Sequence, residues 1–209
     1  MRIIAFGDSI TYGAWDIEGG WVDRIKRRAH AKVVNSNGSD KKQVLNLGIG
    51  GDTTTKLLSR IEVEIKNRFS ANWPLVIIIA IGTNDGRKKS GVAEVSIGQF
   101  EENISKIITI VQKYTDKVAF LGLPPVGSKD LEFKDFTYSN TTLKQYDATL
   151  GRIAKSRNVD FLPIMSVFEL EQKDGLLSTD LLHPSNKGHQ LIEEIVLSYL
   201  EKVGVSGLI

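Results

Sequence analysis

The sequence predicts an α/β fold, a three-layer α/β/α sandwich around a five-stranded parallel sheet, with residues 1–209 forming one domain. Three observations carry this expectation. Short apolar runs alternate with longer amphipathic ones from end to end, and five β-then-α pairs of that kind build a parallel sheet covered by helices. The run Leu75-Val76-Ile77-Ile78-Ile79-Ala80-Ile81 is apolar at every position, as a central strand buried on both faces requires. A length of 209 residues suits one domain with a substantial core.

Taken in order, the strands are expected at Arg2–Phe6, Gln43–Leu47, Leu75–Ile81, Lys117–Leu123 and Val159–Pro163, with Pro74 marking entry to the third. Helical patterns cover Trp21–Lys32, Thr53–Phe69, Ile97–Tyr114, Thr141–Arg157 and Ser185–Val203. In the last, Leu191, Ile192, Ile195, Val196, Tyr199 and Leu200 recur at helical spacing behind Ser185, an N-cap residue type. Two stretches read as irregular, Gly86–Ser96 and Pro124–Asn140. The longer carries Leu131, Phe133, Phe136 and Tyr138, which suits a pocket cover, a subunit contact or a loop folded onto its own domain. Trp21 and Trp73 are expected in the core, Trp15 beside the site, and His30 and His189 at the surface.

Composition narrows the function classes. Formal net charge is +2, and the densest basic cluster, Lys26-Arg27-Arg28, falls in an amphipathic helix, so a solvated face explains it and no nucleic-acid partner is expected. The absence of cysteine excludes disulfides, thiolate metal sites and a cysteine nucleophile. The opening apolar run stops at Gly7-Asp8, too short for a signal peptide, and no stretch approaches the roughly 20 apolar residues of a membrane span. A cytoplasmic location is therefore expected of the chain as it stands.

Parallel sheets of this class bind ligands beyond the carboxyl ends of their strands. There the first strand runs into Gly7-Asp8-Ser9-Ile10-Thr11, the second into Gly48-Ile49-Gly50-Gly51-Asp52-Thr53, and the third into Gly82-Thr83-Asn84-Asp85. Asp180-Leu181-Leu182-His183-Pro184 follows the fifth. Each block alone is compatible with a turn, a helix start or a structural hydrogen bond. Together they bring a hydroxyl, backbone amides, a carboxamide and a carboxylate–imidazole pair to one edge, the parts that acyl transfer needs.

These blocks resemble those of the SGNH hydrolases, also called the GDSL esterase/lipase family. Gly7-Asp8-Ser9-Ile10 is similar to its first block, with Ile10 where Leu is usual, and Gly51 matches the second-block glycine. Asn84 matches the third-block asparagine, and Asp180-Leu181-Leu182-His183 the last block. The resemblance spans nearly the whole chain in family order. It implies a flavodoxin-like SGNH hydrolase fold and carboxylic ester hydrolysis without a cofactor or metal.

The chemistry assigns roles accordingly. A serine hydroxyl needs a base, and His183 is the histidine placed to take the Ser9 proton. Asp180 is spaced to bond the far ring nitrogen, fixing the tautomer and stabilising the imidazolium. The amides of Ser9 and Gly51 and the side-chain NH2 of Asn84 are the candidate oxyanion donors. Asp8, Asp52 and Asp85 are expected to hold loop amides, and Thr53 and Thr54 to cap a helix; Arg87, three residues past Asn84, is expected in solvent, with contact to an anionic part of the substrate as the alternative. The substrate is expected to be a small-molecule ester with a short acyl group, acetyl first. A lysophospholipase or thioesterase of the same family is the alternative. Two readings from other classes stand beside it: a metal-dependent phosphohydrolase built on Asp8, Asp52, Asp85 and Asp180, and a non-catalytic glycan- or partner-binding domain.

Overall fold

In the computed structural model, which describes residues 1–127, 129–171 and 175–208, the chain begins β1 (Arg2–Gly7), α1 (Ser9–Tyr12), α2 (Gly20–Asn35), β2 (Gln43–Gly48), α3 (Thr54–Lys66) and β3 (Leu75–Ala80). It continues β4 (Lys88–Lys89), β5 (Val92–Ala93), α4 (Ile97–Val111), β6 (Val118–Leu121), β7 (Asp130–Phe133) and β8 (Phe136–Ser139). It ends α5 (Asn140–Ser156), β9 (Asp160–Leu162), α6 (Met165–Glu171) and α7 (Asn186–Lys202).

Five parallel strands form the main sheet in the order β2-β1-β3-β6-β9, so the all-apolar β3 lies at its centre, as its sequence predicts. The period of two along β3 divides the core. Ile77 and Ile79 pack in a cluster with Leu57, Ile61, Phe100 and Ile104 of α3 and α4, while Val76 and Ile78 join Trp21, Val22, Ile192 and Val196 of α2 and α7. Ile78 is fully buried, and truncating such a side chain to alanine costs about 2–5 kcal/mol.

This strand order reverses direction between β1 and β3, a topological switch point where doubly wound sheets open a crevice for ligands. Register makes that crevice level: Gly7 pairs with Gly48 on one side and Ala80 on the other, so three loops leave the sheet at the same height. Helix N-caps follow the expected chemistry at Thr53 and Ser185, whose hydroxyls accept from the Lys56 and Gly188 amides.

Several expectations are corrected. The two stretches read as irregular contain a second, antiparallel sheet, ordered β5-β4-β8-β7. Its strands have only two to four residues, too few for a period to show, and its β4–β5 turn is Ser90-Gly91, both at positive φ as a tight hairpin requires. Helices α1 and α6 were likewise too short to read from periodicity. Thr54 is not a cap; it turns inward to Asp85. Trp73 is only half-buried, with the Arg2 guanidinium 5.3 Å from its ring centroid. His189 is fully buried rather than at the surface, because it shares the inward face of α7 with Ile192, Glu193, Val196 and Leu200. Among the described residues, no helix is long and apolar enough to cross a membrane.

Candidate active site

Ser9 opens α1 directly beyond β1. Its neighbour Asp8 caps that helix, accepting the Ile10 amide at 2.9 Å, so the turn that presents the hydroxyl is fixed by the residue before it. Gly48 is needed alongside, because a Cβ there would collide with the backbone of Thr11 and Tyr12. Gly51 sits at φ +79, a left-handed conformation that a side chain disfavours. The amides of Ser9 and Gly51 donate to no described residue.

The turn before α7 brings the second group. His183 Nε2 lies 2.9 Å from Ser9 Oγ, and His183 Nδ1 lies 2.6 Å from Asp180 Oδ2. Asp180 is built into its own turn, where Oδ1 accepts the Leu182 and His183 amides at 3.0 Å each and the Ser178 hydroxyl at 2.6 Å. Burial pushes its carboxyl up, but these donors outweigh burial and hold it below the usual carboxylate range. A charged carboxylate on Nδ1 requires a proton on that nitrogen and leaves Nε2 free to accept from Ser9. The turn carries backbone strain at Leu181, φ +58, and docks through the Gly127 amide, which donates to the Leu181 carbonyl at 2.8 Å.

Asn84 stands opposite, beyond β3, and is 4% exposed. Its Nδ2 donates to the Asp52 carbonyl at 3.0 Å and to Asp8 Oδ2 at 3.3 Å. Its Oδ1 accepts from Arg87 Nη1 at 3.0 Å and from the Tyr138 hydroxyl at 3.2 Å. Arg87, expected in solvent, is instead largely enclosed, its guanidinium 4.0 Å from the Phe136 ring centroid and its Nε on Glu94.

The remaining carboxylates bond to neighbouring loops and helices, by different means. Asp85 accepts from the Thr54 amide and hydroxyl, and Asp52 receives Arg60 Nε at 2.9 Å rather than a loop amide. Arg60 Nη2 continues to the Leu47 carbonyl at 2.9 Å and the Gly7 carbonyl at 3.3 Å, tying the ends of β1 and β2 to the Gly51-Asp52 loop. Burial raises the Asp8 carboxyl to about 7 and the Asp85 carboxyl to about 6, against the donors each receives. Among the described residues, no group of three histidine or carboxylate side chains is arranged to hold a metal ion.

Two aromatic rings flank His183. Trp15, 62% exposed and held at φ +67, has its ring centroid 6.3 Å from the imidazole, and Phe133 meets it edge-on at 6.1 Å. Asp16 anchors the Trp15 loop, accepting the Gly20 amide at 3.0 Å and pairing with Arg24 at 3.1 Å. Leu131, Phe133, Phe136 and Tyr138 share one face of the β7–β8 hairpin and pack on the core. The sequence gives no sign of Arg60, nor of the contacts that Arg87 and Tyr138 make with Asn84. The one signal was the spacing of Arg87, three residues past Asn84.

Comparison with known proteins bears on the family and the fold. The chain is 30% identical over 172 residues to platelet-activating factor acetylhydrolase IB subunit alpha2 of Rattus norvegicus, covering 76% of this chain and 66% of that one. It is 28% identical over 139 residues to an uncharacterized lipoprotein of Bacillus subtilis, covering 66% of this chain and 54% of that one. The chain thus spans between about half and two thirds of the length of these curated relatives. Its fold superposes on a lipase/acylhydrolase from Enterococcus faecalis with TM-score 0.75 at 23% identity, over 97% of this chain and 96% of the other. An acetylxylan esterase from Geobacillus stearothermophilus gives TM-score 0.73 at 20% identity, over 95% and 93% of the two chains. Residues 5–191 match the GDSL-like Lipase/Acylhydrolase family, and the chain belongs to that family.

Proposed function

We propose that this protein is a serine esterase in which Ser9 is the nucleophile, His183 the general base and acid, and Asp180 the group that orients and charges the imidazole. The observation that carries the reading is the unbroken line from Asp180 Oδ2 to His183 Nδ1 at 2.6 Å and from His183 Nε2 to Ser9 Oγ at 2.9 Å. His183 takes the hydroxyl proton as Ser9 Oγ bonds to the ester carbonyl carbon, and the carbonyl π pair moves onto oxygen. The Ser9 and Gly51 amides and Asn84 Nδ2 stabilise that oxyanion. Collapse expels the alkoxide, which leaves with the proton from His183, and the acyl group stays on Ser9. Water then repeats the sequence, giving up its proton to His183 and releasing the carboxylic acid and free Ser9.

The acyl group we propose is short, acetyl first. Leu131, Phe133 and Phe136 are the apolar residues that would line a longer groove; Phe136 is covered by Arg87, and Phe133 borders the imidazole. The names of an acetylhydrolase relative and an acetylxylan esterase neighbour point the same way. The test is hydrolysis of p-nitrophenyl esters from acetate to dodecanoate with EDTA present, for wild type and S9A. The expected result is a maximum at acetate that S9A abolishes. Full activity in S9A removes Ser9 as nucleophile, loss on EDTA removes the metal-independent mechanism, and a maximum at long chains transfers the reading to a lysophospholipase or thioesterase. No hydrolysis of any ester by folded protein would leave a binding domain as the better account.

A further inference from the structure

An asparagine amide has an accepting end and a donating end of nearly equal shape, and its neighbours decide which end faces a substrate. Around Asn84 the two neighbours with a single hydrogen-bonding role, the Arg87 guanidinium and the Asp52 carbonyl, choose the same orientation. Arg87 Nη1 and the Tyr138 hydroxyl donate to Oδ1, and a guanidinium, which has no acceptor, excludes the NH2 from that side. The other end donates to the Asp52 carbonyl at 3.0 Å and to Asp8 Oδ2 at 3.3 Å. The longer of these contacts is the weaker, so the N–H on Asp8 is the one more open to a developing charge. Positive charge on Oδ1 also draws electron density from the amide, which strengthens Nδ2–H as a donor.

Arg87 is itself immobilised. Its side chain is 12% exposed, stacks on Phe136, pairs with Glu94, and reaches the Tyr138 oxygen at 3.4 Å. Arg87 lies just before β4, and Phe136 and Tyr138 lie on β8, so the small antiparallel sheet supplies both contacts to Oδ1. We propose that Arg87 and Tyr138 are positioning residues that clamp Asn84 from behind and polarise it as an oxyanion donor. This rests on the reading of Asn84 as such a donor.

The test is a double-mutant cycle in turnover of p-nitrophenyl acetate, combining R87M and Y138F each with N84A. Alone, R87M should lower kcat about 10-fold and Y138F about 3-fold, with KM nearly unchanged. On the N84A background each should change kcat less than about twofold, because the residue they act through is gone. R87K, which keeps a charged donor, should recover part of the loss. Equal losses in both backgrounds, or none in wild type, overturn the clamp and leave Asn84 untouched. Near-full activity in N84A is a different outcome, which removes the oxyanion role of Asn84 and the clamp with it. Y138F deletes one hydroxyl and serves if R87M fails to fold. In a 15N-labelled protein the Asn84 side-chain amide signals, identified by their loss in N84A, should shift in Y138F, and unmoved signals contradict the proposal.

Discussion

Asp180 and His183 lie on one turn, and the bonds that fix the carboxylate come from Ser178 and from amides at positions 182 and 183. Asn84, by contrast, is oriented by Asp8 beyond β1, Asp52 beyond β2, Arg87 before β4 and Tyr138 on β8. The carboxylate–imidazole pair is local, whereas Asp8, Asp52 and Tyr138 reach Asn84 from positions distant in sequence and only Arg87, among these contacts, is as near as Asp180 is to His183. A change far from the reacting atoms should therefore disturb charge stabilisation more readily than proton transfer.

The largest expected effect breaks the local side from within. D180N replaces an oxygen with an NH2 that faces either the turn amides or the imidazole N–H, donors in both cases. It should lower kcat by about 10⁴-fold through the wrong imidazole tautomer. A loss of less than tenfold in a folded variant would refute the orienting role of Asp180. The oxyanion side comes next: N84A should lower kcat about 10²- to 10³-fold, measured on the same short ester with KM recorded separately.

The smallest effect concerns stability and compares two buried sets of charge. Burial holds the His189 imidazole down at about 4 from an ordinary 6.5, so between those values the unfolded chain binds a proton that the folded one does not. Stability from this group rises with pH across that window and is lost as pH falls through it. Asp8 and Asp85 act in the opposite sense: their folded values, about 7 and about 6, lie above an ordinary 3.8. Their contribution is full below about pH 4 and is lost as pH rises through 6 to 7. H189Q should therefore gain on wild type as pH falls, the Tm difference moving by on the order of 5 °C between pH 7 and pH 4.5. A constant offset across pH would mean that His189 titrates normally in the fold.

The same contrast explains what was legible in the sequence. The five parallel strands, the five long helices and the strand-end blocks could be read because each is contiguous and leaves a local pattern, as β3 does with its unbroken apolar run. Asp180 and His183 could be paired because three residues separate them. The contact of Tyr138 could not, because it depends on a sheet whose strands are two to four residues long and whose pairing is set across the chain, and the same sheet brings Phe136 over Arg87. His189 is a different case. Helical spacing places it on the same face as Ile192 and Val196, so its position rather than its residue type sets its burial.

The β7–β8 hairpin puts Phe133 beside the imidazole and Tyr138 against Asn84, with Phe133 paired to Phe136 and Leu131 to Tyr138 on one face. Because side chains alternate along a strand, a single-residue insertion at its tip would slip the pairing and turn one strand's inward residues to the outside. Evolution and laboratory selection therefore have unequal freedom here. Substitutions at Phe133 change what lies beside the imidazole, whereas changes of hairpin length also shift Tyr138 against Asn84. Relatives that diversify their substrates while keeping this hairpin should vary its residues more readily than its length.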